Sequence, residues 1–171
     1  MAIIEELYFA LPIYISNVAP VFSKHIKFLD YPINKKYFGE HKTYRGFLSA
    51  IIAAILILFF QSYLYEYESI KKISLINYNE ANIFLLGFMA GFGAMFGDLI
   101  KSFFKRRRNI KPGQSWFPFD QLDFIVGGLL FLSPFVSLKL KNIIILLIAS
   151  PTIHIIANHI GYYIGVNKKK W

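Results

Sequence analysis

The stretch that decides the architecture is Gly97–Asp123, GDLIKSFFKRRRNIKPGQSWFPFDQLD. This strongly basic segment lies between two long apolar stretches, at about 81–104 and 122–138. Asp98 begins it, and Asp120 and Asp123 end it, each beside an apolar stretch. Because an acidic side chain near hydrocarbon is costly unless it is paired or metal-bound, this pattern indicates a functional site between two membrane spans.

The composition agrees with a membrane protein. Of the 171 residues, 56% are hydrophobic and 18% are aromatic. A soluble domain of this size could not bury so much apolar surface in one core, whereas lipid-facing positions in a bilayer are themselves apolar. The length predicts a single membrane domain, 1–171. The chain has no cysteine, which excludes disulfides, thiolate metal sites and thiol nucleophiles.

Five stretches are long and apolar enough to cross about 30 Å of hydrocarbon, which takes about 20 helical residues. The first is expected to be irregular because it contains Pro12, Asn17 and Pro20, and Pro151 interrupts the fifth. The predicted fold is an all-α integral membrane domain with about five transmembrane helices. The predicted spans are 3–22, 47–65, 81–104, 122–138 and 142–166.

Lysine and arginine residues predict the orientation. Most of the 19 lie in three segments that odd-numbered spans place on one face, namely 23–46, 101–111 and 168–170. The positive-inside rule then puts the N-terminus outside and the C-terminus in the cytoplasm, with 23–46 and 105–121 as two functional cytoplasmic loops. The net charge of +9 follows from this topology, so we expect a multi-pass protein of the cell membrane with no nucleic-acid partner.

Small residues on the third span predict close helix packing. Gly87 with Gly91, and Gly93 with Gly97, are spaced so that each pair lies on one helix face. Such pairs let neighbouring backbones approach each other in membranes. Contact with lipid is the alternative for the same glycines.

Asp98, Lys101, Ser102 and Lys105 have helical spacing at the end of the third span. Positions i, i+3, i+4 and i+7 share a face, which therefore carries a carboxylate, a hydroxyl and two ammonium groups. The simpler interpretation is a helix end whose lysines reach out to the membrane interface and pair with Asp98.

Asp120 and Asp123 allow two interpretations as well. They share a face if a helix has begun, which suits joint metal binding. Asp120 also suits an N-cap, with Asp123 in the first turn complementing the helix dipole, and Pro118 fits a helix start.

The combination of three carboxylates with a basic loop favours a shared function. Mg²⁺ prefers oxygen ligands and usually binds one or two carboxylates together with substrate phosphates. Lysine and arginine suit the remaining phosphate oxygens. A phosphoryl-transfer site with Asp98, Asp120 and Asp123 as metal ligands is therefore predicted. The segment Gly39–Gly46, GEHKTYRG, adds a second polar cluster before the second span, although it also fits an ordinary basic loop.

These residues resemble the signature of the CDP-archaeol synthase family, the archaeal CTP:2,3-di-O-geranylgeranylglycerol-1-phosphate cytidylyltransferases. The resemblance includes Gly97-Asp98-Leu99, Lys101-Ser102, Lys105-Arg106, Lys111-Pro112-Gly113 and Pro118–Asp123, together with Lys42–Gly46 and with Pro12, Asn17 and Pro20. It extends over nearly the whole chain, and more distantly to CDP-diacylglycerol synthases. Asn34 stands where the resemblance leads us to expect an aspartate. Pro112 stands where the diacylglycerol branch has an aspartate, and this difference is expected of the archaeal branch.

The resemblance implies a five-helix membrane enzyme that needs Mg²⁺ and CTP and makes the activated precursor of archaeal ether lipids. A lipid phosphate oxygen would attack the α-phosphorus of CTP and release pyrophosphate. The catalytic residues would be Asp98, Lys101, Lys105, Asp120 and Asp123. The substrate-binding residues would be Asn17, Lys42, Thr43, Arg45, Ser102, Arg106 and Lys111.

Other functions remain open at this point. A small transporter or channel subunit is one, although the carboxylates cluster at one membrane face and no internal repeat is evident. A cytidylyltransferase acting on diacylglycerol phosphate, an enzyme that moves a CDP-linked head group, and a membrane scaffold are the others. Oligomeric state is not predicted.

Overall fold

The computed structural model describes residues 2–111 and 114–165, without the side chains of 2, 157 and 158. Within these residues the chain is helical, and its extended pairing is confined to an isolated antiparallel bridge between Pro32 and Thr43. The predicted all-α class is therefore confirmed. The helices of this part of the chain are α1 (Ala2–Phe22), α2 (Lys35–Phe38), α3 (Tyr44–Leu64), α4 (Glu68–Lys71), α5 (Ile83–Arg107), α6 (Phe119–Leu132) and α7 (Leu140–Tyr163).

Three of the described helices are long and apolar enough to cross a membrane. These are α3, α5 and α7, with mean hydropathies of 2.3, 1.9 and 1.9. Helix α1 has 21 residues but includes Glu5 and Glu6, and α6 has only 14 residues. At the helical rise, α6 measures about 21 Å, which is shorter than the hydrocarbon core. Five spans therefore remain a prediction.

The helix boundaries differ from the predicted spans. Helix α5 continues beyond 104 to Arg107, which places Lys105 and Arg106 on the helix. Helix α6 ends at Leu132 and not at 138, because Pro134 has no N–H to continue the helical hydrogen bonds. Residue 166 of the fifth predicted span, the tail lysines 168–170 and the Pro112–Gly113 pair lie outside the described residues.

Helix α5 lies between α3 and α6, and its glycines make both contacts close. A Cβ atom at Gly87 or Gly91 would lie 2.6 Å from an α3 backbone carbon, and one at Gly93 would lie 2.6 Å from the Gly127 carbonyl oxygen of α6. Gly97 faces the Asp123 backbone of α6 in the same way. The predicted packing role of these glycines is confirmed, and the pairs face opposite neighbours.

The first loop folds back over the end of the bundle where α1 ends and α3 begins. Arg45 holds it there by donating from Nη1 to the Ile26 carbonyl, 2.6 Å, and by pairing with Asp30 at 2.9 Å. Thr43 caps α3, since its Oγ1 accepts from the Gly46 N–H at 3.2 Å. The short helix α2 packs against α5. The ends of α1, α3, α5 and α6 thus meet at one end of the bundle, beneath this loop.

Candidate active site

A largely buried lysine, Lys101, lies at the centre of the candidate site, with 14% of its side chain exposed. The Nζ atom of Lys101 lies 2.9 Å from Asp98 Oδ1, 3.1 Å from Asp120 Oδ1 and 2.7 Å from Asp123 Oδ2. Three carboxylates from two helices therefore converge on one ammonium group. Two further lysines complete what we call the charged cluster: Lys42, Asp98, Lys101, Lys105, Asp120 and Asp123.

The close contact of α5 with α6 makes this convergence possible. Because Gly97 has no side chain, the α6 backbone at Asp123 packs directly against α5. One turn further on, Lys101 then meets the carboxylates of Asp120 and Asp123. The predicted helical face is confirmed, since Asp98, Ser102 and Lys105 are all buried. Lys101 and Lys105 turn towards carboxylates. The pairing of Lys101 with Asp98 agrees with both interpretations of this face.

Asp120 is not a helix cap. The N-cap of α6 is Pro118, and no side-chain hydrogen bond caps this helix. Asp120 Oδ2 accepts from the Trp116 N–H at 2.6 Å, and both of its carboxylate oxygens lie 3.0 Å from Lys105 Nζ. Its carboxylate therefore links the second loop to α5, and the capping alternative for Asp120 is wrong.

The two loops each add contacts to the cluster. Lys42 from the first loop pairs with Asp98. Lys105 also donates to the carbonyl oxygen of Gln114 in the second loop, at 2.6 Å. The carboxylates and the ammonium groups are equal in number in the charged cluster, which lowers the cost of burying them together.

Charge also keeps Asp120 ionised. Burial acts to raise the pKa of Asp120, but the charge of Lys101 and hydrogen bonds from Lys105 and the Trp116 N–H outweigh it. The pKa of this carboxyl therefore lies below its usual range, and the group is anionic at neutral pH.

Two cavities adjoin the cluster, and Lys42 lines both of them. The first, of about 200 Å³, lies between α1, α3 and α5 and is lined by Asn17, Lys42, Thr43 and Asp98 among others. The second, of about 130 Å³, lies between the first loop and α5 and is rich in cations. Its polar lining consists of Glu40, His41, Lys42, Lys101, Ser102, Lys105 and Arg106. An anion is the natural occupant of the second cavity.

Ten of the twelve residues predicted for the site are in the cluster or line these cavities. Arg45 and Lys111 are not among them: Arg45 tethers the first loop, and Lys111 is exposed. His41, which lines both cavities, was not predicted. Its position next to Lys42 in the polar cluster 39–46 is the signal that could have found it. The Nε atom of Arg106 is buried and has no hydrogen-bond partner in the described part of the chain.

Metal binding would depend on the substrate as well as on the protein. In the part of the chain that the structure describes, no three His, Cys, Asp or Glu side chains form a ready cluster for a metal ion. However, three carboxylates do converge on a cation, the Lys101 ammonium. This set of oxygen donors fits Mg²⁺, because Mg²⁺ needs only one or two carboxylates when phosphate oxygens complete its shell.

The fold and the site define an all-helical membrane protein with a buried carboxylate–lysine centre at one end of its bundle. The chain matches the CarS-like, CDP-archaeol synthase family over residues 1–171 and belongs to that family. The CDP-archaeol synthase of Methanosarcina acetivorans is 40% identical to it, over 94% of this chain and 99% of that protein. The enzyme of the same name from Methanococcus maripaludis is 33% identical, over 100% and 98%.

A solved structure has the same fold. It is an intramembrane enzyme of archaeal membrane lipid biosynthesis, which matches this chain with a TM-score of 0.65 at 22% identity. The match covers 89% of this chain and 91% of that one. At this identity the likeness describes the fold alone.

Proposed function

We propose that this protein transfers CMP from CTP to the phosphate of an unsaturated archaeal ether lipid, 2,3-di-O-geranylgeranylglycerol 1-phosphate, giving CDP-archaeol and pyrophosphate. Relatives of similar length are named for CDP-archaeol synthesis. The observation that carries the proposal is the charged cluster, in which carboxylates and lysines from α5, α6 and the first loop meet beside a cation-rich cavity.

The chain's own residues would act mainly by binding and orienting two anions. Lys105 and Arg106 line the cation-rich cavity and would hold the triphosphate, with Ser102 donating a hydrogen bond to a phosphate oxygen. Lys42 lies between the two cavities and can contact both the triphosphate and the lipid phosphate. Holding both substrates in line lowers the entropic part of the barrier.

The reaction needs no general base. A lipid phosphate oxygen is already anionic near neutral pH and forms the new bond to the α-phosphorus of CTP. The bond between the α-phosphorus and its bridging oxygen breaks, and pyrophosphate leaves with the electron pair. Lys101 and Lys105 lie where they can neutralise the growing negative charge.

Asp98, Asp120 and Asp123 would hold Mg²⁺ together with substrate phosphates. When bound, the ion would polarise the α-phosphate and stabilise the leaving pyrophosphate. Lys101 would then turn from the carboxylates towards phosphate oxygens.

We further propose that α1 and α6 span the bilayer with α3, α5 and α7, and that the site faces the cytoplasm. The basic loops support this orientation, since the positive-inside rule places them there. Because the sequence contains no cysteine, a maleimide would react only with a cysteine that is introduced by substitution. An impermeant maleimide should label Glu80→Cys on intact cells and label Lys27→Cys only after the membrane is opened. The reverse pattern would overturn the orientation.

The transfer itself is tested by giving the purified protein Mg²⁺, CTP labelled at the α-phosphate, and ether- or ester-linked lipid phosphates. Label should enter the lipid phase with the wild type and fall by about 10³-fold with Asp123→Asn, since this substitution removes a predicted metal ligand. Chelation of Mg²⁺ should stop the transfer. No transfer to any lipid phosphate by folded protein would refute the proposed function.

A further inference from the structure

An apolar groove follows the boundary of α1 with α6 and α7. Its volume is about 300 Å³, and its walls are mostly apolar, with Leu7, Leu11, Val18, Phe124 and Ile153 among them; its polar members are Tyr14, Asn17 and His154. The Tyr14 hydroxyl is hydrogen-bonded to Ser150 Oγ at 2.6 Å, so it has a partner within the protein and does not require one from a ligand. The groove therefore suits a hydrocarbon ligand.

Asn17 connects this groove to the candidate site. Its side chain lines both the apolar groove and the 200 Å³ cavity that contains Lys42 and Asp98. Within residues 2–111 and 114–165, the Asn17 amide makes no hydrogen bond. An amide in an apolar helix is costly without a partner, so a ligand oxygen at this junction would stabilise it.

The length of the groove matches one membrane leaflet. From Asn17 to Leu7, helix α1 advances about 15 Å at its rise per residue, which is about half the thickness of the hydrocarbon core. Leu7 and Ile153 also line an adjoining apolar cleft of about 400 Å³ between α1 and α7. A lipid hydrocarbon chain that begins beside Asn17 would therefore contact a continuous apolar surface along one leaflet.

A second groove on α1 provides the contrast. It has a volume of about 380 Å³ and is lined mainly by apolar residues of α1, by Ser23 and Ile26 just after that helix, and by Ala53 of α3. It shares no lining residue with either cavity of the charged cluster. It adjoins the first groove at Ile15 and Val18, but Asn17 does not line it, so a lipid chain there would not lie at the junction with the phosphate cavity.

We propose that the groove of α1, α6 and α7 binds one apolar chain of the lipid substrate and selects its length and bulk. This inference rests on the proposed function. The phosphate would lie in the cavity with Lys42, the chain would pass Asn17, and the Asn17 amide would donate to an oxygen that links the chain to glycerol. By holding a chain of matching length, the groove would position the lipid phosphate for attack.

The test fills the groove at Leu11, which lies about 9 Å from Asn17 along α1. Leu11→Trp should raise the KM for the full-length lipid phosphate by about tenfold or more. The KM for CTP should stay unchanged, as should turnover of a lipid phosphate whose chains are too short to reach Leu11. Ala53→Trp, the same kind of change in the other groove, should leave all of these values at the wild-type level.

A second variant keeps the proposal testable if tryptophan disrupts the fold. Leu11→Ala should raise the KM for the full-length lipid a few-fold and leave the short lipid unaffected. The proposal is overturned if this variant changes long and short lipids equally, or if Leu11→Trp remains active with an unchanged KM for the long lipid. Failure of the wild type to modify any lipid phosphate would instead refute the proposed function.

Discussion

The bundle buries polar side chains at both ends, and the two groups differ in kind. At one end, the charged cluster joins three carboxylates to three lysines and adjoins two cavities. The opposite end holds what we call the amide cluster, which consists of Glu6, Gln61, Tyr78 and Asn142. None of these residues lines the cavities or grooves described above.

The amide cluster links helices through hydrogen bonds of amide and hydroxyl groups, and Glu6 is its one acidic residue. Asn142 Nδ2 donates to Glu6 Oε1 at 2.9 Å, which links α7 to α1. Gln61 Nε2 donates to the Tyr8 carbonyl at 2.6 Å, and the Tyr78 hydroxyl donates to Gln61 Oε1 at 3.2 Å. Burial raises the pKa of Tyr78, so its hydroxyl remains a neutral donor.

The comparison teaches that polarity within an apolar bundle does not by itself mark an active site. Charged groups beside a cavity can exchange their partners for a ligand. Amides that are bonded across helices in a packed core hold the helices in place. We therefore expect carboxylates at the two ends to respond differently to the same substitution.

The largest expected effect comes from changing a carboxylate to an amide at each end. Asp98→Asn should lower kcat by about 10²–10³-fold, because Asp98 pairs with Lys42 and Lys101 and is a predicted metal ligand. Glu6→Gln should leave kcat within about twofold of the wild type. The measurement is CMP transfer per folded molecule, with folding checked by thermal unfolding. Equal losses of kcat in the two variants would break the comparison.

The next effect concerns the helix contact that builds the charged cluster. Gly97→Ala should lower the free energy of unfolding by about 3 kcal/mol and reduce activity, since its Cβ would meet the α6 backbone. Gly46→Ala is the matched control, because the nearest atom to its Cβ would be the Pro20 Cβ at 3.3 Å, a contact that needs a shift of only a few tenths of an ångström. Denaturation in detergent measures both variants. Similar stabilities would show that α5 and α6 can separate without cost.

A smaller change is expected for the amide cluster. Asn142→Ala removes the hydrogen bond to Glu6 and should lower the free energy of unfolding by about 1–2 kcal/mol. Since Asn142 lines none of the cavities of the candidate site, the KM values for CTP and lipid should not change. A shift in either KM at unchanged stability would give the amide cluster a functional role.

The smallest expected effect is that of changing Lys111, one of two lysines that the family resemblance suggested for substrate binding. Lys111 is exposed, and Lys111→Ala should change activity by less than about threefold. Lys42→Ala should cost much more, because Lys42 pairs with Asp98 and lines both cavities. Initial rates at limiting CTP compare the two. A large loss for Lys111→Ala would restore its predicted role in holding phosphate.

Much of the fold and of the candidate site could be predicted because the signals are local. Helical spacing placed Asp98, Lys101, Ser102 and Lys105 on one face, and the glycine pairs of α5 predicted its close contacts. The end of α6 was missed because hydropathy continues beyond Pro134 while the helix does not. The tether made by Arg45, the exposure of Lys111 and the position of His41 beside both cavities were not predicted, because each depends on how the loops fold, which spacing along the chain does not describe.

By itself, the sequence determined the helical class, the apolar segments and the residues that meet at the basic end, because hydrophobicity and helical periodicity act over a few turns. Only the tertiary structure decided that Lys101 lies among three carboxylates, that Lys42 lines two cavities, and that Asn17 joins one of them to an apolar groove. These relations depend on which helices pack together and how closely. That packing follows from contacts between residues far apart in the chain, such as Gly97 with Asp123.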